Sequence, residues 1–132
     1  MSEKIMINAG YQAYRNPTFA GAVRKGNMLF ISGHDAAQPD PVTGRPVITG
    51  DIVEQTRVIY EKLKVILEAA GASFEDLVWT TDYITTMENY PGTADIRRQY
   101  FQGEFPASTG ILVKGLVRPE ALIEIDAVAV LD

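Results

Sequence analysis

The most regular pattern along the chain is helical. From Asp51 to about Ala70, the residues Ile52, Ile59, Leu63, Ile66, Leu67 and Ala70 fall on one stripe, with Glu54, Arg57, Glu61, Lys64 and Glu68 on the other side. Asp51 and Glu54 form a D-x-x-E capping box at its start, and Gly71 supplies a left-handed stop. A weaker pattern predicts a second helix over Gly92 to Phe101, with Ile96 and Tyr100 inward and Arg97 and Arg98 outward. Elsewhere the apolar positions are runs or alternations that read as strands. These are Phe19–Arg24, Met28–Ser32, Leu77–Thr85, Thr109–Lys114 and Leu122–Val130, with a short first strand at Ile5–Ile7. Gly26-Asn27 between the first two long runs is a hairpin signal. Met28–Ser32 is nearly all apolar, so both its faces are expected to be covered. Gln38–Pro46 holds three prolines and a glycine and reads as a loop unable to hold a ladder. The order β-β-α-β-α-β-β predicts an α+β sheet with two helices on one face. Its other face is then solvated or buried against another subunit, and so much apolar strand surface points to an oligomer.

Composition narrows the function classes. The chain has 132 residues, 46% hydrophobic and 22% charged, which fits a single globular domain (1–132) and excludes collagen, disorder and coiled coil. A net charge of −5 without a basic block makes a poor partner for nucleic acid or anionic membranes. No apolar run approaches the ~18 residues of a membrane span, and Met1–Ile5 lacks the apolar core of a signal peptide. A cytoplasmic protein is the expectation. The absence of cysteine excludes disulfides, thiolate catalysis and Cys-based metal sites. The one histidine, His34, leaves no second imidazole for a metal, so no metal site is expected.

Glu124 is the sharpest local anomaly. On alternation it shares a strand face with Leu122, Asp126, Val128 and Val130. A carboxylate in an apolar strand costs free energy unless paired, and its pKa tends upward, which suits a general acid or base. A solvated strand face or a buried ion pair would explain the same residue. His34 follows Ser32-Gly33 at a strand end, where it can shuttle protons or serve as a hydrogen-bonded structural histidine. Phe105–Gly110 is a turn of small residues able to offer hydroxyls and backbone N–H groups to a ligand, or a plain loop. Ser108 as a nucleophile would need a base such as His34.

Several short blocks, in order, resemble the RidA family (reactive intermediate deaminases, also called the YjgF family). They are Gly26–Gly33, Pro41–Gly44, Ile66–Ala72, Thr80–Ile84, Met87–Tyr90, Phe105–Ala107 and Ile123–Val130. The resemblance implies a chorismate-mutase-like fold of the bacillus type, a mixed sheet forming a trimeric barrel with the helices outside. It implies a homotrimer with small-molecule sites in the clefts between subunits. It also implies hydrolysis of reactive enamines or imines, such as 2-aminoacrylate, to a keto acid and ammonia, without cofactors.

Part of the family's site pattern is missing. Typical members read Pro-Ala-Arg where this chain reads Pro106-Ala107-Ser108, so the arginine that holds the substrate carboxylate is Ser108. A hydroxyl cannot reproduce a bidentate guanidinium clamp. The family tyrosine corresponds to Phe19, the helix asparagine falls at Ala94, and His34 stands where a glutamine is usual. The last-strand glutamate is kept as Glu124. The resemblance therefore implies Glu124 and His34 as catalytic groups and Phe19, Ser32, Gly33, Ser108 and Thr109 as substrate contacts. Arg15 and Lys114 are candidate replacement anchors. It further implies a non-standard substrate and weak turnover of 2-iminopropanoate-type compounds. A non-catalytic metabolite-binding trimer and an endoribonuclease are the competing readings.

Overall fold

The computed structural model describes residues 3–11 and 13–132. Eight strands run as β1 (Lys4–Ile7), β2 (Ala22–Lys25), β3 (Met28–His34), β4 (Gln38–Pro39), β5 (Pro46–Val47), β6 (Leu77–Ile84), β7 (Ala107–Leu112) and β8 (Ile123–Val130). Helix α1 (Ile52–Ala69) follows β5, and α2 (Thr93–Phe101) lies between β6 and β7. Six strands form one mixed sheet in the order β1-β2-β3-β8-β6-β7. Only the β6–β7 pair is parallel. Lys25 pairs with Met28 across a two-residue turn in which Gly26 takes φ 60°, as a hairpin turn with glycine first requires.

Both helices cover one face. On β8, Ile123, Ile125, Ala127 and Ala129 point into the core with Leu29 and Ile31 of β3. They meet Ile52, Ile59, Leu63, Ile66 and Leu67 of α1 and Ile96 and Phe101 of α2. Tyr60 stacks on Tyr100 at 5.2 Å between centroids and meets Phe101 edge-on at 5.6 Å. Asp51 caps α1 by accepting the Glu54 N–H at 2.9 Å, which is half of the expected box.

Three expectations change. Arg97 points inward rather than outward: its Nη1 donates to the Tyr60 hydroxyl at 2.9 Å and to Thr80 Oγ1 at 3.3 Å, and lies 3.9 Å from Asp82 Oδ1. The buried Asp82 carboxylate, which also accepts from Tyr90 at 2.8 Å, draws the cation in. The proline-rich stretch does hold a ladder, because β4 and β5 pair over two residues. Asp40 tightens that hairpin by accepting the N–H groups of Val42 and Thr43. Finally, within the single chain β3 is covered on one face only, which leaves its other face to solvent or to another subunit. A row of Met6, Val23, Phe30, Val128 and Trp79 runs across neighbouring strands on the side without helices. In the single chain Phe30 is 49% exposed and Trp79 40%.

Candidate functional site

The end of β3 shapes the site. The register of β3 against β8 slips between Ile31 and His34, so one extra residue bulges out around Ser32-Gly33. The bulge opens a cleft of about 390 Å³ at the strand end. Glu124, His34, Ser32, Gly33 and Phe19 line it together with Tyr11, Tyr14, Asp35, Lys62 and Val117. A smaller cavity of about 190 Å³ adjoins it and shares Tyr11, His34 and Lys62.

Glu124 lies on the helix-free face of β8, against the bulge. A Cβ at position 33 would stand 2.8 Å from its Oε2 and 3.0 Å from its Cδ, so only glycine leaves the carboxylate its place. Among the described residues no donor reaches that carboxylate. Burial raises its pKa above the ordinary carboxylate value, and the negative charges of Asp35 and Asp126 add to the shift. The group is thus held by shape, unpaired, and able to exchange a proton.

His34 and Ser32 are tied to the strand entering β2. His34 Nε2 faces the Gly21 carbonyl at 3.1 Å, so Nε2 carries the proton and Nδ1 is left as an acceptor when the ring is neutral. Burial lowers its pKa, which favours that neutral ring. Ser32 Oγ donates to the Ala20 carbonyl at 2.6 Å and can offer a ligand only its lone pairs.

The donors on this side come from elsewhere. Lys62 on α1 donates to the Asp35 backbone carbonyl at 2.8 Å, with the Asp35 carboxylate 3.9 Å away. Arg118 Nε lies 3.5 Å from the same carboxylate, and its guanidinium sits 4.6 Å over the Tyr14 ring. Asp35 is buried, and its Oδ1 also accepts the Ala37 N–H. Among the described residues no group of three or more His, Asp and Glu side chains is arranged to hold a metal ion.

Five of the expected residues, Glu124, His34, Ser32, Gly33 and Phe19, therefore meet in one cleft. Ser108 and Thr109 do not join them within one chain. They lie on β7 at the far edge of the sheet, where Ser108 accepts from Thr80 at 2.9 Å and Thr109 pairs with Thr81. Arg15 and Lys114 are exposed and do not line the cleft within one chain. Lys62, Asp35, Tyr11 and Tyr14 were missed. The signal for Lys62 was present: it sits three residues after Ile59 and four before Ile66, inside the buried stripe of α1.

The comparisons agree with this architecture. A family model described as Endoribonuclease L-PSP matches residues 13–131. The chain belongs to that family, the RidA or YjgF family. A RutC family protein of Pyrococcus horikoshii is 38% identical over 111 residues, which is 84% of this chain and 85% of that protein. A 2-iminobutanoate/2-iminopropanoate deaminase of Dermatophagoides farinae is 26% identical over 132 residues, the full length of both. Among solved structures, a Rid family protein of unknown function from Yersinia pestis superposes with a TM-score of 0.84 at 29% identity, covering 98% of this chain and 100% of that one. The mixed α+β fold with two helices packed on the sheet is the Rid fold.

Proposed function

We propose that this RidA-family chain is a cofactor-free hydrolase of small imines, enamines or related C–N compounds, working in the cleft at the end of β3. The observation that carries the reading is Glu124: an unpaired carboxylate seated against Gly33, with its pKa raised by burial. Such a group is a base strong enough to take a proton from water and an acid strong enough to return it. Water attacks the imine carbon as Glu124 removes its proton, forming a carbinolamine. The proton passes to nitrogen, the C–N bond breaks, and a carbonyl compound and ammonia leave. Enamines enter the same sequence when Glu124 protonates their carbon. His34, through Nδ1, and the Ser32 oxygen accept hydrogen bonds from the attacking water or the substrate N–H. The deaminase relative supports this chemistry by its name.

In the full reading the protein is a cytoplasmic homotrimer, and Ser108 and Thr109 of a neighbouring subunit complete the cleft. An endoribonuclease, which the family description raises, fits less well. Among the described residues Lys62 is the one Lys or Arg on the cleft wall, and the chain carries a net charge of −5. Phe19 and Ser108, which lack the family's phenol and guanidinium, favour a second reading as a metabolite-binding protein without turnover.

The test is ammonia release from a panel of imines and enamines generated in situ. Acceleration over the uncatalysed reaction is expected for at least one compound. Binding in the cleft without acceleration across the panel would favour the binding protein instead.

A further inference from the structure

The trio Asp35, Lys62 and Arg118 is charged in a way that the hydrolase reading does not yet use. One buried carboxylate faces two cations, so the trio by itself holds one positive charge in excess, with the Glu124 carboxylate on the same cleft wall. All three side chains are largely buried, at 8%, 14% and 20% exposed for Asp35, Lys62 and Arg118. Lys62 and Asp35 both line the cleft, and Lys62 is the cation of the trio that does so. Of its three N–H bonds, one goes to the Asp35 backbone carbonyl at 2.8 Å. The Asp35 carboxylate, 3.9 Å away, is beyond hydrogen-bond reach. Among the described residues the other two N–H bonds reach no oxygen or nitrogen acceptor, and the face of the Tyr11 ring lies 5.9 Å from the ammonium. A mostly desolvated ammonium short of two acceptors is costly unless something supplies them. The surplus charge and the missing acceptors describe the same partner, a small anion with paired oxygens.

We infer that Lys62 is the specificity-determining anchor of this cleft, binding the carboxylate of a small monoanionic substrate while Asp35, itself held by Arg118, keeps its ammonium in place. A bound monocarboxylate makes the group neutral and gives Lys62 its acceptors. A single cation beside the Asp35 and Glu124 carboxylates, in a cleft of this size, selects a monoanion over a phosphate ester or a polyanion. An ammonium is a point charge on a flexible stem rather than a planar fork, so it selects for charge but grips a carboxylate less rigidly than a guanidinium. The inference rests on the hydrolase reading only for the word substrate; the anion site stands on the open N–H bonds of Lys62 at the cleft wall.

The probes are pyruvate and its uncharged counterpart pyruvamide, titrated into the protein and followed by NMR shifts of the cleft residues. The wild-type chain is expected to bind pyruvate about tenfold tighter than pyruvamide or better, the scale of one charge-assisted contact. Lys62→Gln, which can keep a bond to the Asp35 carbonyl, abolishes that preference, and Lys62→Arg retains most of it. Equal wild-type affinity for the two ligands, or unchanged pyruvate affinity in Lys62→Gln, overturns the anchor. A parallel loss of both ligands also overturns it, since that reports a damaged cleft. Should Lys62→Gln not fold, the wild-type preference alone decides. Neither probe is hydrolysed to ammonia through an imine, so the outcome is separate from turnover. Selective pyruvate binding without ammonia release from any imine contradicts only the hydrolase. Imine turnover with an unchanged KM in Lys62→Gln contradicts only the anchor.

Discussion

Gly33 and Glu124 act as one unit. The position of the carboxylate depends on the missing side chain beneath it, because a Cβ there would stand 2.8 Å from Oε2. The end of a flexible side chain can swing away, so Gly33→Ala is expected to fold normally and melt within a few degrees of wild type. It should nonetheless lose activity, since an ~1 Å displacement of a reacting group can cost about 10²-fold. Unchanged steady-state ammonia release by Gly33→Ala would show that the seat is not needed. The raised pKa of Glu124 has its own consequence for stability. Between its ordinary value of 4.5 and the raised value, the folded chain binds more protons than the unfolded one. Stability from this group is therefore full below 4.5 and is lost as pH rises through the raised value. Glu124→Gln has no charge to bury. It should melt above wild type at neutral and alkaline pH and lose that advantage in acid. A melting difference that stays constant across that range would mean Glu124 is not desolvated.

At the scale of elements, α1 and β8 were legible from periodicity alone. Ile59, Leu63 and Ile66 recur at helical spacing, and Ile123, Ile125 and Ala127 alternate with Glu124 and Asp126. The charges tucked into these elements were not legible. Arg97 reads as a solvated helix residue because its partner Asp82 lies on β6, 15 positions earlier, and only the sheet brings them within 3.9 Å. Lys62 is similar, since Asp35 and Arg118 come from distant loops. On β3 and β8, Glu124 was legible as a carboxylate in an apolar strand and His34 as a lone histidine at a strand end, and the pairing of the two strands brings them together. Ser108 and Thr109 lie across β6 from β8, and nothing within one chain brings them back. Replacing Arg97 tests the buried network that fixes α2 on β6. Arg97→Met leaves Asp82 without its cation and should destabilise the fold by about 3 kcal/mol, as measured by urea unfolding. A loss below ~1 kcal/mol, the range of exposed ion pairs, would return Arg97 to the surface role its sequence suggests.

For the whole molecule, the helix-free face sets the question of assembly. Phe30, Val128 and Trp79 form a continuous apolar row on neighbouring central strands. A face of this kind is normally covered. In the trimer proposed above it turns inward, and the cleft gains the neighbour's β7. Sedimentation equilibrium should then give three times the 14.5 kDa chain mass. Phe30→Glu, placing a charge in the middle of the row, should give the single-chain mass and lose ammonia release with it. A wild-type chain that sediments as a monomer would remove the neighbour's Ser108 and Thr109 from the site.

The most direct measurement is kcat for Glu124→Gln on the best imine or enamine substrate, with Lys62 and the rest of the cleft intact. The substitution keeps the size of the side chain and removes only its ability to exchange a proton. The proposed chemistry predicts a fall of about 10²-fold or more with a nearly unchanged KM. A kcat equal to that of the wild-type chain would contradict Glu124 as the proton-handling group and the hydrolase built around it.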